Sequence, residues 1–203
     1  MILFCFNWII IMISARLMDK SCKEDHMQYI SHYHSPLGGL MLAADEEGLI
    51  GVWFDGEKYF ADVLEAGCEE KETDDLQMAR RWLDIYFSGK DPEFLPRLHL
   101  IGTGFQKEVW GALLHIPYGR TKTYGEIAGE IARRHQKKKM SAQAVGGAVG
   151  HNHISLIVPC HRVVGTGGSL TGYAGGIRKK EELLKLEHVD MAKFFIPKKG
   201  AAL

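Results

Sequence analysis

Residues 123–149 read TYGEIAGEIARRHQKKKMSAQAVGGAV. Thr123, with Glu126 three residues on, is a capping box: the hydroxyl meets the third amide of a helix and the carboxylate reaches back to the cap amide. A helix therefore starts here and runs to about Arg133, with Ile127, Ala128 and Ile131 on its buried stripe. The connector RRHQKKK carries no apolar residue to continue that stripe. Ser141 then caps a second short helix, Ala142–Val149, built from small residues. Two short helices joined by a turn are a helix-turn-helix candidate, although any helical hairpin reads similarly. Taken alone, the KKK run is a solvated loop.

The charge balance of the whole chain favours the helix-turn-helix. The 203 residues hold 25 Lys/Arg and 25 Asp/Glu, a net charge of zero. Residues 1–102 hold 9 basic and 18 acidic residues, whereas residues 103–203 hold 16 and 7. A neutral total made of an acidic half and a basic half fits a polyanion that meets only the second. With 46% apolar and 25% charged residues, the composition is that of a globular protein and excludes disorder, collagen and a membrane bundle. The length allows one or two domains with a core that needs no disulfide or structural metal. The four cysteines, Cys5, Cys22, Cys68 and Cys160, are scattered and contain no CxxC pair, which points to a reducing compartment.

Residues 28–34, 39–44 and 49–54 are short apolar and aromatic runs separated by SPLG and DEEG, the pattern of a three-stranded antiparallel meander. Residues 74–87 place Leu76, Ala79, Trp82 or Leu83, and Tyr86 on one helical stripe, with Asp74 or Asp75 as cap. The breaker-rich loop SGKDPEFLP (88–96) ends a small α/β unit near residue 100. His32 and His34 share a strand face and read as surface residues. Beyond it, Phe105–Leu114 is helical, with Phe105, Val109, Ala112 and Leu113 inward, and HIPYGRTK (115–122) breaks it. At the N-terminus, MILFCFNWIIIMI is shorter than the roughly 20 residues a bilayer span needs. It also lacks the positive flank and cleavage site of a secretory signal. Residues 1–26 therefore read as a non-native extension from an upstream start codon, with a weak anchor and export as the second and third readings.

The run ISLIV (154–158) leads into PCHRVV (159–164). A cysteine beside a histidine, near basic residues and at the end of a buried run, can be an activated nucleophile. The dipeptide alone is more often an inert core pair. GTGGSLTGYAGG (165–176) fails the dinucleotide fingerprint, because Leu170 stands where the third glycine belongs, and it lacks the GK[ST] of a phosphate loop. It reads as a flexible turn whose Tyr173 could cover a flat ligand. In the last helix, RKKEELLKLE (178–187), Leu183, Leu184 and Leu186 point inward and Glu187 ends the helix. A carboxylate among leucines needs a partner, for which an imidazole is suited, although a surface glutamate is common here.

VGGAVGHN (145–152), IVPCHRVV (157–164), GYAGG (172–176) and ELLKLE (182–187) together resemble the O6-alkylguanine-DNA alkyltransferases, also called methylated-DNA–protein-cysteine methyltransferases. The resemblance covers about residues 28–190, and PCHRV is its most specific part. It implies an α+β chain. An N-terminal ribonuclease-H-like α/β domain (27–100) would precede a mainly helical, winged-helix-like domain with a helix-turn-helix (101–192), followed by a tail (193–203). It further implies a suicide repair reaction on double-stranded DNA carrying O6-alkylguanine, with O4-alkylthymine a further candidate, in a cytoplasmic monomer with no cofactor, no metal and no membrane. Cys160 would attack the alkyl carbon of a base flipped out of the stack. His161, through a water, would take the thiol proton, with Glu187 orienting the imidazole. Tyr124 would donate to the base and Asn152 would brace the turn before the cysteine. Val163, Tyr173, Ala174 and Gly175 would line the base pocket. Gln143, Ala144, Gly146, Gly147, Val149 and Arg162 would meet DNA, the second helix entering the minor groove. Gln143 departs from the family, which usually has an arginine there to fill the hole left by the base. A metal cluster of His151, His153, Cys160 and His161 would compete for the nucleophile. Three rivals remain on the residues: a non-catalytic lesion binder of the same fold, a helix-turn-helix regulator, and a cysteine hydrolase.

Overall fold

β1 (Tyr29–Ser35), β2 (Gly38–Asp45) and β3 (Gly48–Phe54) form the antiparallel meander that the alternating runs predict. The computed structural model describes residues 27–197; the extension read at 1–26 and the end of the tail, 198–203, lie outside the described residues. Side chains close both tight turns. Ser35 Oγ accepts the Leu37 amide (3.1 Å), and Asp45 Oδ1 accepts the amides of Glu47 (2.9 Å) and Gly48 (3.1 Å). A two-residue strand that the sequence reading did not foresee, β4 (Glu69–Glu70), pairs parallel with β1, giving the order β3-β2-β1-β4.

Both faces of the sheet are covered. Leu40, Leu42, Val52 and Phe54 pack against helix α1 (Asp74–Phe87), which buries Leu76, Ala79, Trp82, Leu83 and Tyr86. Thr73 caps α1, its Oγ1 accepting the Leu76 amide (3.3 Å), rather than Asp74 or Asp75. Those two aspartates lie in the first turn, where their charge meets the positive helix end. On the other face, Met41, Ala43, Ile50 and Trp53 pack with Ala61, Val63, Leu64 and Ile101. The Trp53 ring folds over Gly51, where an added Cβ would sit 1.8 Å from the ring's Cη2. Gly51→Ala should therefore force this fully buried ring aside and cost about 1–3 kcal/mol. A lowered urea midpoint would check this, and an unchanged midpoint would contradict it.

The chain then enters α2 (Gly104–Leu114), α3 (Tyr124–Arg134), α4 (Ala142–Gly150) and α5 (Ile177–Leu186). Thr103 with Gln106 and Thr123 with Glu126 both form full capping boxes, and Ser141 Oγ caps α4. In α2 the buried aromatic is Trp110, whereas Phe105 is only half-buried. Trp110 Nε1 donates to the Ala148 carbonyl (2.8 Å), which fixes the far end of α4 to α2. The short strands β5 (Lys122–Thr123) and β6 (Val163–Val164) pair in parallel and bring the start of α3 beside the segment after Cys160. One hydrophobic core runs through both halves. The Val52 amide donates to the His153 carbonyl (2.8 Å) and the Ser155 amide to the Val52 carbonyl (2.9 Å), so β3 is stitched directly to the segment that leads to Cys160.

Candidate active site

Cys160 opens a single 3-10 turn, Cys160–Arg162, at the end of the buried run. The run bends sharply at Leu156, which is buried at φ +73°, a left-handed conformation that a bulky residue adopts only under constraint. Asn152 holds the bend. Its Nδ2 donates to the carbonyls of Val158 (2.8 Å) and Ile154 (3.3 Å), and its Oδ1 accepts the Ile154 amide (3.1 Å). The same Nδ2 lies 3.1 Å from Cys160 Sγ, so the brace also donates to the sulfur. The sequence suggested the first role and not the second.

His161 is fully buried, and its Nε2 lies 2.6 Å from Glu187 Oε1. Glu187 is the C-cap of α5 and is itself buried. Its carboxylate is saturated with donors. Arg162 Nε reaches both oxygens (3.1 and 2.9 Å), the Gly119 amide reaches Oε2 (3.1 Å), and the Tyr86 hydroxyl reaches Oε1 (2.8 Å). Although burial opposes ionisation, the neighbouring His161 and Arg162 hold the Glu187 carboxyl down at about 2. Burial pushes His161 below its ordinary value despite the carboxylate, and pushes the Cys160 thiol up to about 11 despite Asn152. The resting pair is therefore thiol and neutral imidazole. His161 Nδ1 is buried and has no hydrogen-bond partner among the described residues.

Arg162 was expected to meet DNA. It is instead buried, bonded to Glu187 and to the Ile116 carbonyl (2.7 Å), with its guanidinium over the Tyr118 ring, so its charge is spent inside the fold. Several buried polar side chains of the site escaped the sequence reading. Tyr86 comes from α1 in the first domain. Lys180 is fully buried, its Nζ donates to the Val163 and Thr171 carbonyls, and burial lowers it to about 8. A buried tyrosine needs a partner for its hydroxyl, and Lys180 shares the helical face of Leu183, Leu184 and Glu187, but neither local signal names the partner.

The expected base-pocket residues gather around this site. Tyr173 is buried, not displayed on an open loop, and its ring meets His161 edge-on at 6.4 Å. Gly175 lies against Tyr173 and Phe54, where a Cβ would approach Tyr173 Cε1 to 2.9 Å. The Val163 carbonyl is taken by Lys180, and the Ala174 carbonyl accepts the Lys58 amide (3.3 Å). The Tyr124 hydroxyl rests on the Thr171 (3.3 Å) and Gly172 (3.2 Å) carbonyls, and burial raises its pKa well above the ordinary value. A third unforeseen group, Glu57, is buried in the turn after β3. It accepts the Phe54 amide (3.1 Å) and the Ser155 hydroxyl (3.3 Å), and burial raises its carboxyl to about 7.

On α4, Gln143, Ala144 and Gly147 are exposed, whereas Gly146 and Val149, also expected at DNA, face the core. Arg133 and Lys137–Lys139 line a cleft of about 810 Å³ between α3 and the start of α4. Together with Arg134, they make no ion pair among the described residues. His151 stacks on Tyr59 (4.2 Å between ring centroids), and no group of three His, Cys, Asp or Glu among the described residues is placed to hold a metal.

Two family models match the chain. The 6-O-methylguanine DNA methyltransferase ribonuclease-like domain matches residues 28–100, and the DNA binding domain of the same name matches residues 104–189. The chain is similar to the methylated-DNA–protein-cysteine methyltransferase of Methanosarcina acetivorans, 46% identical over 159 residues, which are 78% of this chain and 97% of that protein. It is also similar to the crystal structure of the Mycobacterium tuberculosis O6-methylguanine methyltransferase, at a TM-score of 0.68 and 40% identity, covering 85% of this chain and 97% of that one. The crystal structure of M. tuberculosis OGT in complex with DNA aligns at a TM-score of 0.68 and 42% identity over 78% of this chain and 92% of that one. With a ribonuclease-like first half, a DNA-binding helical second half and matches over both, the chain belongs to the 6-O-methylguanine DNA methyltransferase family.

Proposed function

We propose that this chain repairs DNA by moving the alkyl group of O6-alkylguanine onto Cys160 in a single, irreversible turnover. The observation that carries the reading is the buried Glu187–His161 pair set beside a cysteine whose sulfur already receives a hydrogen bond from Asn152. The Cys160 proton passes to His161 Nδ1 through one bridging water, and Glu187 stabilises the imidazolium. Sγ then forms a bond to the alkyl carbon as the carbon–O6 bond breaks. The electron pair leaves with the guanine, which recovers a proton, so thiol plus ether become thioether plus guanine. The Tyr124 hydroxyl moves from its two carbonyls to the base as negative charge grows there. A thioether is a poor leaving group, and the protein is consumed.

Because the resting thiol is protonated and only 3% exposed, it is protected from stray electrophiles until a base occupies the pocket. DNA meets the exposed face of α4. Gly147 supports this: a Cβ there would touch nothing within the protein. Mid-helix glycine costs about 1 kcal/mol against alanine, and at this exposed position it leaves room for a backbone to approach α4 closely. The protein acts as a monomer in the cytoplasm. Titration with duplex DNA carrying O6-methylguanine should reach a plateau at one methyl per protein. Binding without transfer would favour the lesion binder, preference for one undamaged sequence the regulator, and continuous turnover the hydrolase.

The basic connector adds charge that meets the phosphate backbone. Replacing Lys137, Lys138 and Lys139 by alanine should flatten the dependence of log affinity on log salt by about 0.9 for each phosphate that is no longer neutralised. Fluorescence anisotropy on undamaged duplex at stepped salt would measure this, and an unchanged slope would mean these lysines remain in solvent.

A further inference from the structure

We infer that Tyr86 is a positioning residue for the transfer: from the first domain, its hydroxyl holds the Glu187 carboxylate and fixes His161 in the tautomer that leaves Nδ1 able to accept a proton. The inference rests on the transfer reading above. A tyrosine hydroxyl has one proton, and Tyr86 gives it to Glu187 Oε1 at 2.8 Å. His161 Nε2 lies 2.6 Å from that same oxygen and 3.2 Å from the tyrosine oxygen. With the hydroxyl proton committed, both oxygens facing Nε2 can only accept. Nε2 therefore carries the hydrogen, because the other tautomer would set lone pair against lone pair. The Nδ1 lone pair is then left pointing at a buried position with no protein partner among the described residues.

The ring is held independently of the hydroxyl. It stacks on Trp82 at 5.1 Å and meets Phe87 and Tyr118 edge-on. Burial and the adjacent carboxylate keep Tyr86 protonated far above neutral pH, so it remains a donor throughout. The groups facing His161 are Glu187 from the end of α5, Arg162 and Cys160 from its own turn, Lys180 from α5, Tyr173 from the glycine-rich segment and Tyr86 from α1. Among them, Glu187 favours the imidazolium, whereas Arg162 and Lys180 oppose it.

Removing the hydroxyl takes one donor from Glu187. The carboxylate then attracts the imidazole proton more strongly, and His161 is protonated at higher pH. His161 must be neutral to act as base, so in Tyr86→Phe the acid limb of the single-turnover rate should move up by about one pH unit. On that limb the rate falls about tenfold, with less than about threefold change on the plateau. Trp82→Phe loosens the same packing without touching the relay and should leave the limb in place. An acid limb unmoved in Tyr86→Phe, or a rate lowered equally at every pH, would overturn the inference. So would 15N shifts in the wild type that place the His161 proton on Nδ1, a test that needs no variant. A wild type that transfers no methyl at any pH would instead overturn the transfer reading itself.

Discussion

Cys160→Ala should reduce methyl transfer below detection while changing affinity for undamaged duplex by less than about twofold. In the proposed transfer the new bond to the alkyl carbon forms at Sγ. Cys68, the other cysteine among the described residues, lies on the far side of the first domain's sheet order, beside β4. In the proposed binding mode, phosphate contacts come from the exposed face of α4 and the basic connector, which the substitution does not reach. The bend also survives, because Asn152 keeps its bonds to Val158 and Ile154. Single-turnover assays and anisotropy on the same preparation separate the two quantities. Residual transfer at the wild-type rate would place the acceptor elsewhere, and a collapse of binding would show that the cysteine shapes the interface.

Glu187→Gln should slow transfer by about 10²–10³, within the range for loss of a group that supports a general base. It should also cost about 3–5 kcal/mol of stability, because the substitution strands the buried Arg162 charge. Adding Arg162→Met to Glu187→Gln should recover most of that stability and none of the transfer. Recovery of both would reduce Glu187 to a structural counter-ion. The pH dependence follows from the same groups. The Glu187 carboxyl is held at about 2 against an ordinary 4.5, so its contribution is full above 4.5 and is lost as pH falls toward 2. His161 is depressed below its ordinary 6.5, so the unfolded chain takes up a proton that the native protein refuses, and stability begins to fall as pH drops below 6.5. Urea unfolding at stepped pH should therefore show a wild-type decline across both ranges. In Glu187→Gln the decline between 4.5 and 2 should be shallower.

The contrast between what the sequence disclosed and what it withheld follows the reach of each interaction. Caps are local: Thr123 with Glu126, and Ser141 at α4, could be read from spacing because donor and acceptor lie three residues apart. The meander was legible for the same reason, its alternation and turns being contained in adjacent residues. The pairing of His161 with Glu187 crosses 26 residues and entered through the family resemblance, since a glutamate at a helix end is common on surfaces. Tyr86 is 101 residues from Glu187, and nothing local distinguishes its hydroxyl from that of any core tyrosine. Lys180 was masked by its neighbours. In IRKKEELL it reads as one of a solvated basic run, yet it lies on the buried face, with both carbonyl partners supplied by the segment that follows Cys160. Arg162 failed in the opposite direction. The family resemblance placed it at DNA, whereas its guanidinium pairs with the buried Glu187 carboxylate and the Ile116 carbonyl. The short β4 strand carries no apolar signal and forms only because the edge of β1 is open to it.

The claim that Cys160 is the alkyl acceptor is tested most directly by mapping the product. Full-length protein is mixed with a limiting amount of duplex DNA bearing isotopically labelled O6-methylguanine, digested, and analysed by mass spectrometry. The expected result is one labelled methyl per repaired base, recovered as a thioether on the peptide containing Cys160, with unmodified guanine left in the duplex. Label on any other residue, or label released to solvent with Cys160 unmodified, would contradict it.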